Sequence, residues 1–181
     1  MVKRGINYFF LRDIYHDTLP KASIDKPRVF ISHQKKDSDI AKKIADYLLN
    51  AGVDIYFDEY DVSINRDDPN SVVKAIRYGI ENCTHMLVIF SPNTFNSMWV
   101  PWEIGYAYNS SISLNVLRLK GVPKDKLPEY LKVVKVLFDI WDLNYLITLL
   151  TKKSSELLLK EGCILNYSDK IHPLAEYVDS I

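Results

Sequence analysis

Apolar positions along this chain repeat with two alternating periods, and the alternation predicts strand after helix after strand. Arg28-Val29-Phe30-Ile31-Ser32 is the near-continuous apolar run that a strand buried on both faces requires. Ile40, Ala41, Ile44, Ala45, Leu48 and Leu49 then form a 3.6-residue stripe, with Asp37 or Ser38 as the N-cap and Gly52 as the C-terminal stop. Val53 to Phe57 predicts a second strand. After the polar stretch Asp58 to Asp68, Pro69 or Asn70 opens a helix carrying Val72, Val73, Ile76 and Ile80. Thr84 to Phe90 is the clearest buried strand, and Ser91-Pro92-Asn93 begins a loop into a helix around residues 99–110. Two more strands, Ser113 to Leu119 and Val134 to Ile140, flank a Pro- and Lys-rich connector, Lys120 to Pro128. A single last helix is expected from Asp142 to Leu159. Residues 1–26, aromatic-rich and aperiodic, read as an N-terminal extension, 27–160 as one domain and 161–181 as a tail packing on it.

Strands and helices in alternation imply a parallel sheet covered on both faces. Five strands in this length fit an α/β, doubly wound, flavodoxin-like sheet of order 2-1-3-4-5. In that order the chain leaves the first and third strands in opposite directions, opening a crevice outside their carboxyl ends where ligands bind. The loops after Ser32 and Phe90 are therefore the expected site.

Composition narrows the partners. Lys plus Arg and Asp plus Glu both number 23, so no net field favours nucleic acid or an anionic membrane. No apolar run is long enough to span a bilayer, and Met1 to Tyr8 has no uninterrupted apolar stretch of the secretory kind. A soluble cytoplasmic protein is expected. Cys83 and Cys163 stand far apart without zinc spacing, and His16, His33, His85 and His172 are scattered, so neither a disulfide framework nor a metal site is expected.

Several occupants of such a crevice fail on residue type. There is no GxG fingerprint, no GxxxxGK loop and no GxSxG elbow. Phospho-receiver chemistry would want paired acids after the first strand and an Asp ending the third, where this chain has Ser32-His33-Gln34 and Ser91-Pro92. What remains is Ser32, His33, Lys35 and Lys36 from the first loop, Asp58 and Glu59 from the second strand's end, and Ser91, Ser97, Trp99, Trp102 and Glu103 from the third. Two cations, hydroxyls, flat aromatics and a carboxylate suit a diphosphate, a ribose and an aromatic base.

Each candidate also has a structural reading. Glu103, after Pro101, sits where a helix dipole stabilises a carboxylate by about 0.3–1 kcal/mol and favours its ionised form. Trp99 and Trp102 serve as packing or as a substrate platform, Lys35 and Lys36 as solvated charges or phosphate contacts, and Asp58 as a turn residue or a ribose contact. Ser32 and Ser91, at strand ends, cap backbone or meet substrate.

The motifs resemble those of the Toll/interleukin-1 receptor (TIR) family over about residues 27–150. Phe30-Ile31-Ser32-His33 with Asp37 downstream is similar to its first-strand box, and Val53 to Asp58 to the strand preceding its BB loop. Ser91, Ser97, Trp99 and Glu103 keep the spacing of its third box, with Val100 where the family has Cys. The loop Asp61 to Pro69 lacks the family's usual Pro-Gly turn. The resemblance is to the bacterial, NAD-cleaving branch, including Thoeris-like anti-phage defence proteins. It implies Glu103 as the catalytic carboxylate of an NAD glycohydrolase or ADP-ribosyl cyclase, with Ser32, His33, Lys35, Asp58, Ser91, Trp99 and Trp102 around the substrate. NAD would be substrate, with no further cofactor. Self-association through TIR surfaces and a separately encoded effector responding to a cyclic ADP-ribose-type product are implied partners. Two alternatives stay open: a non-catalytic TIR–TIR interaction module, and a nucleoside deoxyribosyltransferase-like enzyme using Glu103 as nucleophile.

Overall fold

The computed structural model describes residues 3–11, 19–57, 68–166 and 172–180. Five strands form one sheet, β1 (Arg28–Ser32), β2 (Asp54–Tyr56), β3 (His85–Phe90), β4 (Ser113–Arg118) and β5 (Lys135–Leu137), in the order β2-β1-β3-β4-β5. Every pairing is parallel, with Ser32 opposite Val88 and Phe90 opposite Arg118. The doubly wound order expected from the alternating pattern is the observed one.

Strand side chains alternate between two cores. Val29, Ile31, Ile55, Leu87, Ile89 and Leu117 face the helices α1 (Ser38–Asn50) and α4 (Ile140–Thr151). Phe30, Tyr56, Met86, Val88, Phe90 and Val116 face α2 (Pro69–Glu81) and α3 (Trp99–Asn109). Helix α1 stops as expected, with Gly52 at φ 87°, a left-handed turn that a side chain would strain. Asp68 caps α2, accepting hydrogen bonds from Asn70 N at 3.1 Å and Ser71 N at 3.2 Å.

The last predicted helix is two. α4 ends where Lys152 turns left-handed, φ 55°, and α5 (Ser155–Lys160) restarts behind Ser154, whose hydroxyl accepts from Leu157 N at 3.3 Å. The polar run Lys152-Lys153-Ser154-Ser155 interrupts the apolar stripe, and a serine N-cap restarts it. α4 also begins earlier than expected. Asp139 accepts from Asp142 N at 2.9 Å while Asp142 accepts from Phe138 N at 2.8 Å, a reciprocal cap that cuts β5 short.

Both chain ends pack on this frame. Leu174 and Val178 are fully buried in the core shared by α1 and α4, and Asp179 pairs with the buried Arg118. At the other end Ile6 O accepts from Ile55 N at 2.9 Å, and the Asn7 side chain bonds both N and O of Phe57, at 3.1 and 2.9 Å. These bonds cover the outer edge of β2. Gly5 permits the approach: a Cβ there would lie 2.0 Å from Val53 O. Gly5→Ala is therefore expected to lift this segment off the edge. The expected cost is about 2 kcal/mol, with faster amide exchange at Ile55 and Phe57 than in wild type. Unchanged exchange at both amides would disprove that origin.

Candidate active site

Ser32 ends β1, and its backbone is held in register with β3, so the sheet itself sets where the hydroxyl points. That hydroxyl donates a hydrogen bond to Oε2 of Glu103, in the second turn of α3. Ser32 is 2% exposed and Glu103 8%, so the pair lies buried at the carboxyl ends of the central strands, where the switch-point rule put the site. Among the described residues this is the only hydrogen bond to the Glu103 carboxylate.

Burial changes the chemistry of that carboxylate. Desolvation pushes the Glu103 pKa up to about 7, and the bond from Ser32 opposes the rise. Whatever the helix dipole adds in favour of the ionised form is outweighed by burial. A dipole acts mainly within the first turn, and Glu103 lies one turn further in, where the loss of water dominates. The group is poised near neutrality.

The other candidates divide by position. Ser91 is buried, and its hydroxyl donates to Asp37 Oδ2 at 2.5 Å while accepting from Asn93 N at 3.0 Å. It thus caps the short 3-10 turn Pro92–Asn96 rather than facing open space. Asn93 Nδ2 donates to the other Asp37 oxygen at 2.6 Å. Asp37 is the residue whose role sequence reasoning missed. It occupies the N-cap slot of α1 without a side-chain cap bond, because the 3-10 turn Lys35–Asp37 runs straight into the helix. Its carboxylate instead reaches across the crevice. The signal was present: Ser38, beside it, was an equally good cap, leaving an acid to spare.

His33 packs against Phe57, ring centroids 5.2 Å apart, with Nε2 at 3.5 Å from Ser38 Oγ. Lys35 is exposed in the turn that follows. Trp99 and Trp102, on the same helix as Glu103, are 38% and 36% exposed and meet edge to face at 6.4 Å, forming an aromatic corner. Trp102 also stacks on Tyr106 at 5.4 Å, and Tyr106 is anchored to α2 through Glu81 and Arg77. Asp58 and residues 61–67 of the glycine-free loop fall outside the described residues. Glu103 and Ser32 are thus joined directly, while Ser91 is joined to Asp37. A surface depression lined by Lys26, Pro27, Gly52 and Asp54 lies at the amino ends of β1 and β2, the opposite edge of the sheet.

A parallel five-stranded sheet of order 2-1-3-4-5, with the buried acids Glu103 and Asp37 at its central crevice, defines a flavodoxin-like α/β protein. The profile of the TIR domain matches residues 29–145, more than half of the chain, and the chain belongs to that family. Over 76 residues, 41% of the chain, it is 34% identical to the 2′ cyclic ADP-D-ribose synthase BtTIR of Bacteroides thetaiotaomicron, covering 25% of that protein. Over 80 residues, 43% of the chain, it is 28% identical to the probable 3′ cyclic ADP-D-ribose synthase ThsB′ of Bacillus cereus, covering 42% of it. A probable 2′ cyclic ADP-D-ribose synthase of Methanobrevibacter olleyae, TcpO, is 30% identical over 76 residues, 41% of the chain and 21% of that protein. The matched segment thus spans less than half the length of each of these relatives. Among the described residues no helix is long and apolar enough to cross a membrane.

Proposed function

We propose that this chain cleaves the bond between nicotinamide and ribose in NAD, with Glu103 as the catalytic carboxylate. The observation that carries the reading is the buried Glu103 at the crevice, in a chain of the TIR family whose relatives bear the names of cyclic ADP-ribose synthases. In the reaction the C1′–N bond breaks and its electron pair goes to the nicotinamide ring, which leaves neutral. The ribose approaches an oxocarbenium ion, and one ionised carboxylate facing it stabilises the developing charge. Because the leaving group needs no proton, one carboxylate is enough. Water, or a hydroxyl or adenine nitrogen of the same molecule, then bonds to C1′. An attacking water or hydroxyl gives up its proton, and the product is linear or cyclic ADP-ribose.

Around Glu103, Lys35 is suited to the diphosphate and the corner of Trp99 and Trp102 to a flat base; His33 and Asp58 complete the proposed contacts. The proposed setting is cytoplasmic anti-phage defence. There the reaction depletes NAD or its product signals to a separately encoded effector, and TIR surfaces of neighbouring copies associate.

The test incubates concentrated protein with NAD and separates nicotinamide from ADP-ribose products, with Glu103→Gln alongside. Turnover lost in Glu103→Gln supports the reading. Turnover that survives the substitution rejects Glu103, and nicotinamide never released by protein assembled at high concentration rejects NAD cleavage. The pH profile adds an expectation. Activity requires ionised Glu103, so kcat/KM is expected to fall as pH drops through about 7, the pKa of the buried carboxyl. Bound NAD brings a positive ring beside the carboxylate and favours its ionised form, so the acid limb of kcat is expected at lower pH than that of kcat/KM.

A further inference from the structure

Glu103 projects from a helix on side-chain torsions that a lone carboxylate would leave free, yet the sheet reaches out to hold it. The holder is Ser32, the last residue of β1, whose backbone pairing with β3 fixes the origin of the hydroxyl. Its hydroxyl carries one proton, and that proton is directed to Oε2 of Glu103. Oε1 takes no hydrogen bond from any described residue and is the oxygen left for a ligand. A side chain locked before substrate arrives loses no rotamer freedom on binding, and such preorganisation from a rigid element speeds the chemical step more than it tightens binding.

We propose that Ser32 is a positioning residue: its hydroxyl holds Glu103 from the sheet so that Oε1 is the oxygen presented to the substrate. The sequence left Ser32 as a substrate contact or a cap of exposed backbone; the geometry points to neither. The word substrate here rests on the NAD-cleaving reading, whereas the hold on Glu103 does not.

The groups around the pair leave Ser32 as the polar residue that matters. The turn after β1 carries His33, Lys35, Lys36 and Asp37, α2 carries Arg77 and Glu81, and β4 carries Arg118. α3 has no charged residue besides Glu103, and the described part of the loop after β3 has none. Asp37 is engaged by Ser91 and Asn93, Arg77 and Glu81 by Tyr106, and Arg118 by Asp179. Burial and Ser32 are the two influences on the Glu103 carboxyl, and no charged neighbour among the described residues adds to them.

The test uses the full chain with Ser32→Ala and Ser32→Thr. The Glu103 carboxyl is titrated by carbon NMR, its signal assigned by its disappearance in Glu103→Gln. Ser32→Ala is expected to raise that pKa by about one unit, the loss of a single charge-assisted bond, and Ser32→Thr to restore most of the wild-type value. With NAD, Ser32→Ala is expected to lower kcat by about tenfold or more, with KM within about threefold, and to move the acid limb upward. A carboxyl pKa unmoved in Ser32→Ala overturns the proposal whatever the protein does to NAD. A raised KM with unchanged kcat overturns it in favour of a substrate contact. A moved pKa in a protein that leaves NAD intact upholds the hold and rejects the NAD-cleaving reading instead.

Discussion

At pH 8, Glu103→Gln is expected to lose NAD cleavage and yet to melt above the wild type. In the proposed reaction, loss of the carboxylate removes the charge that would face the oxocarbenium-like transition state, an expected loss on the order of 10²–10³-fold in kcat. The gain in stability has the same origin. In the folded protein the Glu103 pKa lies at about 7, above its ordinary 4.5, because burial penalises the charged form. The native state therefore binds this proton more tightly than the unfolded chain does. The stabilisation this confers is fully present below about 4.5 and is lost as pH rises to and through about 7. The ionised form at pH 8 consequently weighs against folding by on the order of 3 kcal/mol.

Glutamine keeps the shape, accepts the Ser32 bond and never ionises. Its melting temperature should exceed the wild type's by an amount that grows between pH 5 and pH 8, by roughly 5–10 °C for a domain of this size. The growth with pH is diagnostic, because any fixed cost of burying the amide shifts both ends equally. A difference in melting temperature that stays constant from pH 5 to pH 8 would refute the burial argument. The result would identify the site as one where function is retained at the expense of stability.

How far the sequence carries such arguments depends on range. β1 and β3 were legible because Val29-Phe30-Ile31 and Met86 to Phe90 are apolar without a break, and α1 because its stripe closes on Gly52. Their order located the crevice, and the resemblance of Ser91, Ser97 and Trp99 to the family's third box pointed to Glu103. Partners were not legible. Ser32 finds Glu103 at a separation of 71 residues, and Asp37 finds Ser91 at 54. Neither pairing leaves a local period. The rise of the Glu103 pKa was not legible for the same reason: the dipole belongs to one helix, whereas burial is produced by every element packed around it. The break at Lys152 was local and readable, but the apolar stripe on either side of it suggested continuity.

Asp37→Ala is expected to cause the largest loss of stability at the site, although Asp37 has no expected contact with substrate. Its carboxylate is 2% exposed and accepts from Ser91 Oγ at 2.5 Å and Asn93 Nδ2 at 2.6 Å. Ser91 N donates to Thr94 Oγ1 at 3.0 Å, and that hydroxyl reaches back to Ile89 O at 3.3 Å, so one acid anchors the whole turn after β3. Hydrogen bonds to charged groups are worth about 1.5–3 kcal/mol each, and their removal strands the donors of buried Ser91 and half-buried Asn93. The expected cost is therefore about 3–5 kcal/mol, a fall in melting temperature of roughly 10–15 °C. Asp37→Asn keeps one acceptor oxygen and should lose about half as much. The same turn leads into α3, so Glu103 is expected to shift in Asp37→Ala, lowering kcat by roughly tenfold or more at temperatures where the variant is folded. A double-mutant cycle with Ser91→Ala separates this bond from general packing. Because the two residues share it, the double variant should lose less than the sum of the singles; strictly additive losses would mean that Asp37 acts on the fold without Ser91.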